Sequence, residues 1–343
     1  MDNTLRIGLI GVGALALRGI LPHLSQRDVT DRVTVEALCD PVLERAEAAA
    51  RIYDVPRAFA NVDEMLAESE IDAVTVASPI GLHYEHCRVA LEAGKHVHVN
   101  KTMTTTVHEA NELIALAEQR DLCIVASPGD MLLPQVTRTR ELIESGAIGT
   151  LCWAICGLTY GDYHEGEPER RDAPGGTPID PSWYFRAPGG GPMYDVSVYA
   201  LHQLTSVLGP ARAVAAVSGI RIPERVFLGA RIPTAVDDNT LLLLDFGDGL
   251  FAVAYGTAAG GTPISSPACC ISARRDRSTA SCSTASRSTF PEASWSLALR
   301  RGGSCTCRSC RMWSASTGNS PRRTSSRTSC SSSTGCSTGA PHR

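Results

Sequence analysis

Apolar positions bunch into short runs that alternate with amphipathic stretches over the first third of the chain. Leu5 to Ile10 reads Leu-Arg-Ile-Gly-Leu-Ile, a short buried strand, after which Leu17, Ile20, Leu21 and Leu24 recur at helical spacing. The alternation continues with a strand over Val33–Cys39, a helix over Val42–Tyr53, a strand over Arg57–Phe59 and a helix over Val62–Ala67. A strand over Asp72–Ala77, a helix over Leu82–Glu92, a strand over His96–Val99 and a helix over Val107–Glu118 follow. Repeated β–α units predict a parallel, doubly wound sheet of the Rossmann type. From Cys123 the order changes: a helix over Leu133–Ser145, a strand over Leu151–Leu158, a Gly/Pro/acid-rich loop over 161–192, and a helix over Tyr194–Leu208. Strand-like runs at Arg212–Ile220, Asn239–Phe246 and Leu250–Tyr255, joined by turns such as Gly247-Asp248-Gly249, predict an open, largely antiparallel sheet.

At 343 residues and 43% apolar composition the chain has material for about two domains. The expected division is a nucleotide-binding domain over 1–122, an α+β domain over 123–262 that looks truncated, and a tail over 263–343. Charge marks the last boundary. The tail holds 12 arginines against Asp276 and Glu292, a net +10, whereas the residues before it carry 20 bases against 34 acids, a net −14. Cys39, Cys87, Cys123, Cys152 and Cys156 are scattered and read as small buried hydrophobes of a reduced compartment, while the other eight cysteines crowd the tail. The Cys305, Cys307 and Cys310 spacing evokes zinc, but Ser and Arg flank it and accidental clustering is the favoured reading. No run of 18 apolar residues and no charged leader with a cleavage site occurs, so a soluble, cytoplasmic protein is expected.

The first strand runs into Gly11-Val12-Gly13-Ala14-Leu15-Ala16. That order has a chemical logic: Gly11 permits a tight turn, Gly13 lets backbone approach a pyrophosphate without a Cβ, and Ala16 lets the helix pack on the strand. The second strand ends in Asp40, 24 residues beyond Ala16, where an acid would bind the hydroxyls of an adenosine ribose and repel a 2′-phosphate. NAD is therefore favoured over NADP. Ser78-Pro79 and Asn100-Lys101-Thr102 close two further strands at the carboxyl ends, where ligands bind in such sheets.

Taken together, Gly11, Gly13 and Ala16, Asp40-Pro41, Ser78-Pro79 with His83, Ala93-Gly94-Lys95-His96-Val97 leading to Asn100-Lys101, Gly146 to Gly149, and Gly189-Gly190-Gly191 leading to Asp195-x-x-x-Tyr199 resemble the Gfo/Idh/MocA family. The resemblance covers about residues 4–262. It implies NAD(P)-dependent oxidation or reduction of a sugar, polyol or related hydroxy compound. It assigns catalysis to Lys101, Asp195 and Tyr199, and cofactor contacts to Gly11, Gly13, Ala16, Asp40, Ser78, Pro79, His83 and Asn100. Trp183, Tyr184 and Arg186 fall in a loop that approaches the substrate in the family, with His202 one turn beyond Tyr199 a further substrate candidate. It also implies a homo-oligomer formed through the second sheet, if that sheet is intact. Asn100 and Thr102 stand where the family carries Glu and Pro.

The residue chemistry is consistent with that assignment. A phenol whose ordinary pKa is near 10 exchanges a hydroxyl proton only if a nearby cation favours its ionised form, and Lys101 is suited to supply the charge. The chain holds only two lysines, Lys95 and Lys101, and uses Arg elsewhere, which suggests a lysine-specific task at a strand end. Asp195 and Tyr199, four apart, would share one helix face. The plain alternatives are a solvated Lys101, a core Tyr199 and a core or rim His202. Asp162, His164, Glu165 and Glu167 read as a solvated acidic loop rather than a metal site, and no metal is expected.

After Pro263 the pattern lapses into Ser, Arg, Cys and Thr, with no Val, Tyr, Lys or Gln. This composition suits G+C-rich coding sequence read out of frame, and it predicts a disordered tail that leaves the second sheet without outer strands. The alternative, a Ser/Arg tail that binds nucleic acid, lacks regular repeats and interleaved aromatics. For the whole protein, the alternative to an oxidoreductase is a dinucleotide-binding protein without turnover, a sensor or a damaged relative.

Overall fold

The computed structural model describes residues 4–161, 179–260, 268–274 and 295–300. Parallel strands β1 (Leu5–Ile10), β2 (Val33–Cys39), β3 (Arg57–Phe59), β4 (Ala73–Val76), β5 (His96–Val99) and β6 (Ile124–Ala126) form one six-stranded sheet in the order β3-β2-β1-β4-β5-β6. That order reverses between β1 and β4, the place where doubly wound sheets open a crevice. The sheet runs past the expected boundary at 122, because β6 pairs with β5 through Val97–Ile124, His98–Val125 and Val99–Ala126.

The first crossover is a π-helical turn over Ala16–Ile20 running into α1 (Leu21–Leu24); the others include α2 (Leu43–Tyr53), α3 (Val62–Glu68), α4 (His83–Glu92) and α5 (Val107–Gln119). Local chemistry starts several of them. Asn61 accepts the Asp63 and Glu64 amides at the head of α3, and Thr106 with Glu109 forms a capping box on α5. Fully buried strands such as β4 (Ala-Val-Thr-Val) explain the uninterrupted apolar runs, since helices cover both faces. Met65, Val74, Val76, Cys87, Leu91, Val99 and Leu113 fill one side; Leu9, Val12, Ala16, Leu21, Leu38 and Ala46 fill the other.

The second half begins with α6 (Pro134–Glu144) and β7 (Thr150–Thr159), and continues through α7 (Pro192–Asp195) and α8 (Ser197–Leu208) into β8 (Ala213–Gly219). A hairpin, β9 (Glu224–Phe227) and β10 (Ala230–Pro233), was not legible in the sequence; its turn at Leu228-Gly229 takes positive φ at both residues, with Leu rather than Asn at the first. Then come β11 (Asn239–Gly247), β12 (Leu250–Thr257), β13 (Ala268–Arg274) and β14 (Trp295–Arg300), giving a sheet in the order β14-β13-β7-β12-β11-β8. The expected antiparallel arrangement holds for β12-β11-β8 and for β13-β7. The β12-β7 and β14-β13 pairs are parallel, so the sheet is mixed.

Two expectations about this half need correction. The tail was expected to leave the sheet without outer strands, yet β13 pairs with β7 from Ala268–Gly157 to Arg274–Thr150 and β14 pairs with β13. Apolar Ile271 and Ala273 are buried there, which gives that stretch a core to join. The expected single helix over 194–208 is broken at Val196, whose φ of −117° and ψ of −52° separate α7 from α8. Residues 162–178 and 301–343, including the acidic loop histidine and the Cys305, Cys307 and Cys310 cluster, lie outside the described residues.

Of the five early cysteines, Cys39, Cys87 and Cys156 are buried as expected, but Cys123 and Cys152 are exposed. Burial pushes the Cys39 and Cys87 thiols up to about 12, so neither is a nucleophile at neutral pH. Among the described residues no helix is long and apolar enough to cross a membrane.

Candidate active site

The glycine turn, the β4 and β5 ends, the 3-10 turn Pro181–Phe185 and the α7–α8 junction surround one cleft of about 870 Å³. Each glycine has a separate reason. Gly11 adopts φ +93°, and a Cβ there would lie 2.7 Å from the Ser78 amide nitrogen, so the turn sits directly on the end of β4. At Gly13 a Cβ would meet nothing within 4 Å and would project into open space. The residue lines the cleft, as a position reserved for a ligand's phosphates would. Ala16 is fully buried against the strand, which fits its packing role, but it does not line the cleft, so the cofactor contact expected of it is not placed there.

Asp40 lines the cleft at the end of β2, nearly buried, and its carboxylate is already engaged. Oδ2 accepts the Val12 amide at 2.9 Å; Oδ1 accepts the Val42 amide at 3.0 Å and Arg45 Nη1 at 3.0 Å. Gly13, Asp40, Ser78, Pro79 and Asn100 surround space that fits a dinucleotide, with glycine backbone at one end and a carboxylate at the other. His83 is corrected. It is fully buried off the cleft, with Nε2 2.8 Å from the Ser78 carbonyl and Nδ1 2.7 Å from the Thr102 carbonyl. It ties the end of β4 to the lysine turn instead of touching a cofactor. Its helix neighbour one turn on, His86, does line the cleft and lies 2.9 Å from Ser78 Oγ. Tyr184, named with its loop, also lines the cleft, and Arg18, Arg45 and Tyr160 are further lining residues that sequence reasoning missed.

Lys101, Asp195 and Tyr199 meet in the same cleft. Lys101 Nζ donates to the Asp195 carbonyl at 2.8 Å and also to its carboxylate Oδ1, and it stands 5.1 Å from the centre of the Tyr199 ring. Both ion-pair partners are nearly buried. Desolvation opposes the charge on Lys101, but Asp195 and Tyr199 outweigh it, and the ammonium is held above its ordinary pKa. For Tyr199 burial dominates and its pKa is raised above 10 despite Lys101, so at neutral pH the group is a phenol and not a phenolate. Lys101 does pull the phenol's pKa down, as expected of a nearby cation, but burial outweighs it and the phenol is not ionised.

The Lys101–Thr102 peptide is cis, and the Thr102 hydroxyl donates to the Tyr194 carbonyl at 2.5 Å while the Tyr194 hydroxyl donates to the Thr105 carbonyl at 3.0 Å. These contacts fasten the lysine turn to α7. Trp183 lines the cleft and stacks on Tyr184 with ring centres 3.9 Å apart. Arg186 and His202 are not brought to it. Arg186 is exposed outside the lining, and His202 is half-buried outside it too, where burial lowers its pKa. No group of three His, Cys, Asp or Glu side chains among the described residues could hold a metal.

Residues 5–127 match the family described as oxidoreductase family, NAD-binding Rossmann fold, and residues 136–264 match the GFO/IDH/MocA C-terminal domain. An uncharacterized oxidoreductase of Synechocystis sp. is 30% identical over 69% of this chain and 58% of its own. A dTDP-3,4-didehydro-2,6-dideoxy-alpha-D-glucose 3-reductase of Saccharopolyspora spinosa is 32% identical over 66% of this chain and 65% of its own. The chain thus spans less than two thirds of the length of these relatives. Among solved structures, a levoglucosan dehydrogenase in complex with NADH superposes with a TM-score of 0.63 at 22% identity, covering 76% of this chain and 68% of that one. A 3-ketoreductase from Actinomadura kijaniata, solved with TDP-benzene and NADP, gives 0.60 at 23% identity over 76% and 71% of the two chains. With both family domains matched in order over most of its length, the chain belongs to the Gfo/Idh/MocA family of oxidoreductases and carries that family's NAD-binding Rossmann domain.

Proposed function

We propose that this protein interconverts a secondary alcohol and a ketone on a sugar, polyol or sugar-derived substrate, with NAD as the preferred cofactor and Lys101 and Tyr199 as the proton-transfer pair. The observation that carries the reading is the convergence of Lys101 from the first sheet with Asp195 and Tyr199 from the second half, beside the glycine turn. Bound NAD would supply the carbon that gives up or accepts hydride. The chain's own residues handle the proton. Tyr199, held as a phenol, can donate its proton to a carbonyl oxygen, and Lys101, held as an ammonium, stabilises the charge left on the phenol oxygen. Asp195 holds that ammonium in place from two acceptor atoms. Such an arrangement favours the reductive direction at neutral pH, since the donor is already protonated. Relatives named as sugar-nucleotide 3-reductases and as D-xylose 1-dehydrogenase support a carbohydrate substrate.

The open face of the second sheet supports a homo-oligomer. Val217, Leu241, Leu243, Phe251 and Trp153 are about half or more exposed, and the register sets Val217 opposite Leu241 and Phe251 opposite Trp153. Such a contiguous apolar face is the kind a second copy covers. The test of function is a panel of aldoses, ketoses, inositols and diols with NAD(H) and NADP(H), using Lys101→Met and Tyr199→Phe as controls. Turnover that disappears in both variants supports the reading. Cofactor binding with no turnover of any panel member would assign a ligand-sensing role instead.

A further inference from the structure

Asp40 touches the glycine turn directly. Val12, the central residue of Gly11-Val12-Gly13, has no exposed surface, and its amide hydrogen bonds to Asp40 Oδ2 at 2.9 Å. The other oxygen is held by the Val42 amide and Arg45, each at 3.0 Å, and Arg45 is itself mostly buried at the same edge of the cleft. A carboxylate offers about four acceptor positions. Three are occupied by this chain, which leaves about one for a ligand hydroxyl. The turn it holds is built from residues with wide backbone freedom, Gly11 at φ +93° and Gly13 with nothing beside it.

We infer that Asp40, braced by Arg45, is a strut that keeps the glycine turn in its pyrophosphate-receiving shape, in addition to any reading of the ribose. This rests on the cleft being a dinucleotide site. A turn deprived of its acceptor leaves the Val12 amide buried and unmatched and samples other conformations, so every ligand that uses the turn binds more weakly in proportion to the fraction of competent turn. The consequence is counter to simple charge logic. Removing the carboxylate, which should admit a 2′-phosphate, lowers affinity for NADH and NADPH together.

The experiment titrates the full chain, by calorimetry or nicotinamide fluorescence, with NADH, NADPH and an NADH analogue lacking both hydroxyls on the adenosine ribose. Wild type, Asp40→Ala, Asp40→Asn and Arg45→Met are compared. Asp40→Ala is expected to weaken all three ligands, the hydroxyl-free analogue by about tenfold, the size of a lost buried hydrogen bond. Asp40→Asn, which retains the shape and one acceptor, falls between the two and carries the comparison if the alanine variant does not fold. Arg45→Met weakens all three ligands by a similar, smaller factor without changing their ranking. The strut is overturned if Asp40→Ala and Asp40→Asn bind the hydroxyl-free analogue as tightly as wild type, or if they gain NADPH while losing NADH. Failure of the wild-type chain to bind any of the three would instead remove the dinucleotide reading on which the inference stands.

Discussion

Lys101 and Asp195, 94 residues apart and drawn from different halves of the chain, form a nearly buried ion pair in which one ammonium donates to both the carbonyl and the carboxylate of the same aspartate. The pair does two things at once. It satisfies a charge that burial would otherwise neutralise, and it fixes the ammonium beside Tyr199, whose phenol stays protonated because burial outweighs the pull of Lys101.

Replacing Tyr199 or Lys101 should therefore separate chemistry from binding. Tyr199→Phe is expected to lower kcat by roughly 10²–10⁴-fold with NADH affinity within about threefold of wild type, as for loss of a proton donor. Steady-state kinetics on the first active substrate, with a fluorescence titration of NADH, checks this. Lys101→Met should lose activity at least as severely and also lower the melting temperature, because Asp195 is left buried without its cation.

A second expectation concerns pH and the direction of the reaction. A proton donor must be protonated, and the folded pKa of Tyr199 lies above 10, so the reductive rate should stay flat through neutral pH and fall only beyond 10. Stability moves the same way there: between 10 and the raised value the unfolded chain binds fewer protons at this site, so stability declines as pH rises. A reductive rate that declines with a midpoint near 7 would contradict the assignment of Tyr199 as donor.

At the acid end the buried histidines act. Burial lowers the pKa of His83, His86 and His98 below 6.5, so the unfolded chain takes up protons there before the folded chain does. Stability should then fall as pH drops from 6.5 towards the folded values, visible as a melting temperature lower at pH 5 than at pH 7. His83→Gln should flatten part of that slope.

Gly11 and Gly13 give a contrast within one turn. Gly11→Ala meets the Ser78 backbone at 2.7 Å in a left-handed conformation and should lower both stability and NADH binding. Gly13→Ala enters open space, so thermal melting should remain close to wild type while NADH affinity drops tenfold or more, the methyl group standing where the phosphates belong.

The apolar sheet face offers a test of assembly. Leu241→Glu combined with Leu243→Glu places two charges on a surface already half exposed, at little cost to the fold. The double variant should elute as a smaller species than wild type by light-scattering chromatography. Identical masses for both would remove that face as an interface.

Much of this protein is local, and the local part was readable in its residues. Alternating apolar runs and amphipathic stretches specify the β–α units, Gly11 and Gly13 can serve only a tight turn with close approach, and Asp40 ends the second strand. All of these follow from interactions within a few positions of each other. Tertiary structure decided what depends on distant partners. Nothing around Val196 announces the helix break, and nothing in the spacing of Asp195 and Tyr199 reveals that burial of the phenol outweighs the pull of Lys101. The same limit explains His83 and His86. Both are histidines on one helix, and only the packing of α4 against the lysine turn sends the first inward to two carbonyls and the second to the cleft. Pattern along a chain reports which face a residue takes; which charges meet across 94 residues is settled only when the two halves pack.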